Sequence, residues 1–468
     1  MHGLTRRQAW ALALTATLTM AVSYVDRQTF AVLAPTVTKE LGISDSAFGW
    51  LVSAFSIAYL VGSPIAGQVI DRVGARRGLL GAVLCWSVVA ALHCLVPGFG
   101  VLFALRIALG FAEAPSFPGA AQTVHRALPP ADRARGFGIL FTGSSLGAMV
   151  APLLAVWLSS RFGWRAAFLG TAAVGLVWVP VWLAVAFRRG ARAALDAPPS
   201  AAPPSHPPPP AELASSTLTP PPPSPFTPAP VSESVSAFDT SAPVPPVPPS
   251  TPASPSVGPF ELAYHPAVLR AVAVVVASAP ILSFLLNWSA KYLVHDMGLT
   301  QAQVGGYLWV PPLLFDVGAI GFGHFASVRA RAAGHDGAPP RALFAAAAVL
   351  AVAGGLIPWA RPGGPWAVMV LSGVAMAGGG GLFALLTADM LARVPPGAVS
   401  AAGGVTAAAQ SLAYIIANPL IGRFVDLQGT YTYVLVALAA WVVPGCALWL
   451  AWKPPPAHAA RAAPAPSA

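Results

Sequence analysis

The residues best placed to do chemistry are few. Asp26 and Arg27 interrupt an apolar run near the start of the chain, and Arg106 and Glu113 interrupt another about eighty residues later. Two carboxyls can carry protons. Two guanidiniums can offer planar forks to an organic anion. Arg106 and Glu113 are seven positions apart, so in a helix two turns of roughly 10 Å keep them on one face. A charge inside a bilayer costs at least ~2.5–3.5 kcal/mol on insertion scales, so four together need either one another or a function. A buried salt-bridge cluster that only locks the helices is the structural alternative to a proton-titrating, anion-binding centre.

These groups lie in a chain that has little other charge. Of 468 residues 56% are hydrophobic and 9% charged, with 14 Trp and a mean hydropathy of +0.67, which excludes an ordinary water-soluble enzyme. Apolar stretches of about twenty residues recur near 9–35, 47–67, 78–96, 100–123, 136–158, 165–187, 267–290, 302–325, 342–360, 365–388, 398–422 and 431–452. They predict twelve membrane helices in two sets of six. The first span follows Arg6 and Arg7 without a small-residue cleavage site, so it is expected to be retained.

Residues 198–259 hold 23 of the chain's 50 prolines and cannot build helix or core, so they read as a linker. The expected organisation is a six-helix bundle over 1–190, a Pro-rich disordered linker over 191–262, a second bundle over 263–453 and a disordered tail over 454–468. The net charge of +10 implies no nucleic acid, because the cations cluster between spans. With both ends placed inside, 18 Lys and Arg fall on the inner side and 6 on the outer, which predicts cytoplasmic termini and linker. Cys85, Cys94 and Cys446 lie in apolar spans without a CxxC pair, so neither a disulfide framework nor a metal site is expected. No Ser/His/Asp, metal or Gly-rich phosphate constellation suggests an enzyme. Trp10, Trp164, Trp359 and Trp366 read as interfacial anchors, and His93 and His324 as structural groups.

The turn after the second span reads Gly67-Gln-Val-Ile-Asp71-Arg72-Val-Gly74-Ala-Arg76-Arg77. Gly67 is expected to let a neighbouring helix approach, Asp71 to accept from helix N-terminal amides or to pair with an arginine, and Gly74 to tighten the turn. The pattern resembles the signature loop of the major facilitator superfamily. That likeness implies an all-α membrane protein of two pseudo-symmetric six-helix bundles, with Gly67, Asp71, Arg72, Gly74, Arg76 and Arg77 as a gate. The corresponding stretch of the second half, 321–334, lacks the acid, so a weaker latch is expected there.

Tyr24-Val-Asp26-Arg27-Gln28, Phe111-Ala-Glu113-Ala-Pro115 and Gly143-Ser-Ser-Leu-Gly147 resemble the anion:cation symporter family. In its sugar-acid members the acids matching Asp26 and Glu113 carry proton coupling, the arginine matching Arg27 binds the substrate carboxylate, and the tyrosine matching Tyr59 lines the site. Trp288-Ser-Ala-Lys291-Tyr292-Leu293 and Trp309-Val-Pro311 with Asp316-Val-Gly318 resemble the hexuronate branch. Ala290 departs from that branch's proline, and Gly378 to Gly381 replace its polar run in the tenth span. A substrate with fewer hydroxyls than a hexuronate follows from that loss.

Arg27, Tyr59, Arg106, Trp288, Lys291, Gln410, Ser411 and Tyr414 are the expected substrate-binding residues. The expected function is proton-coupled symport of a small organic anion, driven by the proton gradient without a cofactor, by a monomer in the inner cell membrane. An exporting antiporter remains an alternative, although the fifth span lacks the G-P-x-G-G pattern of exporters. So does a transport-inactive sensor signalling through the Pro-rich loop.

Overall fold

A computed structural model describes residues 4–196, 264–333, 339–394 and 398–452. Among them the structure is helical, with no strand. The first half comprises α1 (Arg6–Glu40), α2 (Asp45–Val73), α3 (Ala75–Leu92), α4 (Phe99–Glu113), α5 (Ser116–Ala127), α6 (Pro130–Phe162), α7 (Trp164–Ala186) and α8 (Arg189–Leu195). The second comprises α9 (Pro266–Asn287), α10 (Ser289–Met297), α11 (Gln301–Val304), α12 (Val310–Ala333), α13 (Arg341–Val352), α14 (Gly364–Leu391), α15 (Val399–Gln428) and α16 (Thr432–Ala451).

Local chemistry sets the boundaries. A capping box between Thr5 and Gln8 starts α1, and the Ser44 hydroxyl accepts from the Ala47 amide to start α2. Gly74, at φ +84°, reverses the chain between α2 and α3 in one residue, which a side chain would resist. The fourth span divides after Glu113 because Pro115 has no N–H to continue the ladder. The seventh bends at Trp288, whose side chain is held by another helix.

Ten helical stretches of the described residues are long and apolar enough to cross a membrane. The twelve expected spans are found with two qualifications. The ninth and tenth run together as one stretch, Arg341–Leu391, joined by a 3-10 segment, Ala353–Gly363. The eighth, α12, falls outside the ten, since Pro311, Pro312, Asp316 and His324 dilute its apolar content. Of the segment expected as linker, residues 191–195 belong to α8, which buries Ala191, Ala194 and Leu195 against the first bundle; residues 197–263 and the tail from 453 lie outside the described residues.

Small residues bring the helices close. A Cβ on Gly147 would lie 2.7 Å from the Tyr24 Cβ, and one on Gly110 would lie 2.8 Å from the Ala58 Cβ and 3.1 Å from the Tyr59 nitrogen. α6 is thereby pressed on α1, and α4 on α2. The four glycines at 378–381 are all buried, and successive ones face α13, α9 and, for the last two, α12. At 100° per residue they turn a backbone-thin surface to three neighbours.

The halves meet at the end carrying residues 41–44, 298–300 and 429–431. There Asp426 accepts from the Asp45 and Ser46 amides at 2.9 and 2.8 Å, and Lys291 pairs with Asp45 at 2.7 Å. Gln301 donates to the Val32 carbonyl at 2.8 Å and accepts from Thr36 at 3.0 Å. Toward the other end, which carries Leu4 and Trp452, a Cβ on Gly67, Gly403 or Gly404 would meet nothing within 4 Å. Gly67 therefore admits no neighbouring helix here, contrary to expectation.

Candidate functional site

The α1 period sorts the sequence neighbours. Ser23 and Arg27, four apart, share a face and both reach Glu113: the Ser23 hydroxyl donates to Oε2 at 2.7 Å, and Arg27 Nη2 donates to the same oxygen at 3.1 Å. Asp26 is offset by one residue, and its carboxylate has no hydrogen-bond partner among the described residues although it is buried. The Asp26-Arg27 pair of the sequence is thus not an ion pair in the fold; Arg27 pairs with Glu113 on α4.

Aromatic faces complete the enclosure. The Arg27 guanidinium lies 4.6 Å from the ring centroids of Tyr24 and Phe55 and 4.8 Å from that of Tyr59. Arg106 lies 4.7 Å from Phe30 and 4.8 Å from Phe55, and its Nε donates to the Leu51 carbonyl at 3.4 Å. Cation–π contacts hold a desolvated guanidinium without spending its N–H donors. Arg27 Nε, Arg106 Nη1 and Glu113 Oε1 have no hydrogen-bond partner among the described residues. The cluster therefore retains unmet capacity of both signs, and a carboxylate or a proton can be exchanged into it. Glu113 is 0% exposed, whereas the Arg27 side chain is 19% exposed. Arg27 is the cluster's point of access.

From the second half, Gln410 donates to the Tyr414 hydroxyl at 3.5 Å. Ser411 is turned off that line and donates to its own helix at Ala407, 3.1 Å away. Trp288 and Lys291 are not brought to the cluster. Trp288 is 0% exposed, donates to Asn418 at 2.9 Å and packs edge-on to Phe48 at 4.8 Å. With no free surface it positions helices. Lys291 is taken up by Asp45 and by Thr38 at 3.1 Å, in the contact that joins the halves. Phe30 and Phe48, 5.3 Å apart, link the two regions.

Four participants were not singled out from the sequence: Ser23, Phe30, Phe55 and Asp45. Ser23 was detectable from its i,i+4 relation to Arg27, and Phe30 lies on the same helix; the other two depend on a different helix. A further acid, Asp316, accepts from Ser145 at 2.7 Å across the halves.

The signature turn is tied differently from expectation. Asp71 accepts from Gln122 at 2.7 Å, and Gln122 in turn accepts from the Ala75 amide at 3.0 Å, so a glutamine relays the acid to the helix N-terminus. Arg76 is buried, pairs with Asp196 just after α8, and stacks 4.4 Å from Phe187. Arg72 and Arg77 are exposed. At the same end the second half carries a buried group in which Arg270 pairs with Asp389 at 2.5 Å, Arg393 with Asp389 at 3.0 Å, and Arg270 lies 3.8 Å over Trp449. Its tie is built from other helices than the turn at 321–334, of which residue 334 lies outside the described residues. Trp164, expected as an interfacial anchor, is buried and donates to Glu40 at 2.6 Å, while Trp359 and Trp366 are exposed. The described residues include no group of three metal ligands.

Residues 16–417 match the family described as the Major Facilitator Superfamily. The hexuronate transporter of Escherichia coli (strain K12) is 34% identical over 174 residues, 37% of this chain and 40% of that protein. The D-galactonate transporter of Escherichia coli O6:H1 is 26% identical over 320 residues, 67% of this chain and 66% of that one. A probable sulfoacetate transporter of Cupriavidus necator is 31% identical over 157 residues, 34% and 36% of the respective chains. The chain thus spans less than two thirds of the length of each. A bacterial homologue of the human lysosomal transporter Spinster, described as inward-facing and unoccupied, superposes with a TM-score of 0.67 at 16% identity, covering 96% of this chain and 97% of that one.

Proposed function

The chain belongs to the major facilitator superfamily, and on that premise we propose that it is a transporter carrying out proton-coupled symport of a small organic anion. One observation supports this above others: an arginine ringed by three aromatic faces shares a buried acid with a serine, beside a second buried acid that has no donor among the described residues. Arg27 receives the substrate carboxylate, for which a guanidinium fork is suited. An incoming carboxylate competes with Glu113 for Arg27, and the displaced Glu113 is better accommodated when protonated. Substrate and proton are thereby linked at one residue. Asp26, already without a donor, is the second proton carrier.

The relatives' names and the second half support the substrate class. Hexuronate, galactonate and sulfoacetate share an acidic group on a small, hydrophilic body. Gln410 and Tyr414 supply polar groups from the second half, while the glycine run of α14 supplies none. Contacts between the halves at one end, with open space beside Gly67, Gly403 and Gly404 toward the other, fit one state of an alternating-access cycle; with the cation-rich, terminus-bearing end in the cytoplasm, that state is the inward-open one of an inner-membrane protein.

Uptake by the purified protein in proteoliposomes tests the reading, with radiolabelled D-glucuronate, D-galactonate and sulfoacetate each offered under an inward proton gradient. Accumulation of at least one above its equilibrium level, abolished by a protonophore, is expected. Equilibration of all three without gradient-driven accumulation would overturn the coupling.

A further inference from the structure

We infer that the groove between the start of α1, the end of α7 and α8 is a binding site for an anionic phospholipid, with the headgroup on its arginine rim and the first acyl carbons on its floor. The groove encloses about 240 Å³, several times the ~30 Å³ share of one water. Leu4, Leu12, Val185 and Ala191 give it apolar walls, and its polar groups are Gln8 and Arg188. Gln8 is already used in the Thr5 capping box. Arg188 is exposed and makes no hydrogen bond or ion pair with another described residue.

The surroundings are one-signed. Arg7 and Arg189 are exposed and likewise make no such contact, and exposed Arg192 lies 5.8 Å from the Phe187 ring. The nearby acids are taken: Asp132 is 3.8 Å from Arg6, and Asp196 is bound to Arg76. Unneutralised arginines around an apolar floor, at the level where two membrane helices end, match a ligand with an anionic head and a hydrocarbon tail. Free phosphate has the charge but nothing to cover Leu4, Leu12 and Val185. The buried face of α8 leads on to Leu195, whose carbonyl accepts from Arg126 at 2.6 Å, and to the Arg76–Asp196 pair. A lipid held on one side of α8 therefore steadies the signature turn on the other.

This inference does not rest on the transport reading, and its test uses no transport. The full-length protein, delipidated in a neutral detergent, is titrated with phosphatidylglycerol, with phosphatidylcholine of the same chains, and with inorganic phosphate, following the thermal unfolding midpoint. Phosphatidylglycerol is expected to raise the midpoint saturably, the other two not. Arg188→Gln with Arg189→Gln is expected to move half-saturation to roughly tenfold more lipid, whereas Arg329→Gln, an exposed arginine of α12, leaves it in place. If the double variant unfolds early without lipid, Arg188→Lys, which keeps the charge, must restore both the fold and the titration. An equal response to phosphatidylcholine, an equal response to phosphate, or a wild-type titration in the double variant would each overturn the site.

Discussion

Arg27 carries five donors in a rigid fork, and the structure uses Nη2 on Glu113 while Nε has no partner among the described residues. A lysine keeps the charge but loses the fork, and an alanine loses both. Since a charge-assisted hydrogen bond is worth ~1.5–3 kcal/mol, Arg27→Lys should weaken anion affinity by about tenfold and Arg27→Ala by on the order of a hundredfold. Competition binding of the best transported anion measures this; unchanged affinity in Arg27→Ala would leave only a structural salt bridge. The two acids should separate in a different way. Asp26→Asn breaks no described hydrogen bond, so the variant should unfold like wild type yet fail to accumulate substrate against its gradient. Glu113→Gln leaves Arg27 without a counter-charge and should cost about 1–3 kcal/mol of stability in addition to coupling. On the proposed symport, uptake by the wild type should rise as the outside pH falls at constant inside pH, because the proton would enter with the substrate. A variant of either acid that retains this dependence and full accumulation would remove it from the coupling role.

The cluster is only as well placed as the helices that carry it. Tyr24 is held over Arg27 because Gly147 lets α6 lie against α1, and Tyr59 and Phe55 are held because Gly110 lets α2 lie against α4. Enlarging such a position forces the backbones apart, at a typical cost of ~1–3 kcal/mol. Gly147→Leu should therefore lower stability by that amount and also reduce anion affinity, although residue 147 is not among the binding groups. A variant that loses stability but binds like wild type would show that the α1–α6 spacing does not position Tyr24. The glycines at 378–381 serve the same purpose in the second half, with the consequence that α14 brings no polar side chain of its own at those four positions.

Across the molecule, the two halves are joined at one end by Lys291 with Asp45, by Asp426 with the start of α2, and by the Tyr431 hydroxyl with Asp45 at 3.2 Å. These contacts have to break if the halves are to part there. Lys291→Met leaves Asp45 without its cation and should shift the balance of states away from the one described. With ~1.5–3 kcal/mol for a hydrogen bond to a charged group, the two-state ratio should move by about tenfold or more. Spin labels at Gly67→Cys and Gly403→Cys, in a background free of native cysteines, occupy positions with open space around them. Their separation should shorten in Lys291→Met; an unchanged distance distribution would mean that this pair is not a latch.

The sequence by itself determined the class of molecule, because hydrophobicity in twenty-residue lengths and the scarcity of charge are properties of composition and order that no packing can alter. It also singled out Asp26, Arg27, Arg106 and Glu113, since a charge at membrane depth is conspicuous in any arrangement. Helix boundaries at Gly74 and Pro115 were equally local. Which charges pair was not. Asp26 and Arg27 are adjacent in the chain, but successive residues of a helix point about 100° apart, so only the placement of α4 decided that Arg27 meets Glu113 and Asp26 does not. In the same way Lys291 and Trp288 carry binding-site residue types, and the docking of α2 and α15 assigned them to the seam between the halves. Arg76 found its acid at Asp196, 120 positions away, through the packing of α8. Partners far apart in sequence are chosen by tertiary contact, because a side chain reaches only a few ångströms and the fold decides what lies within them.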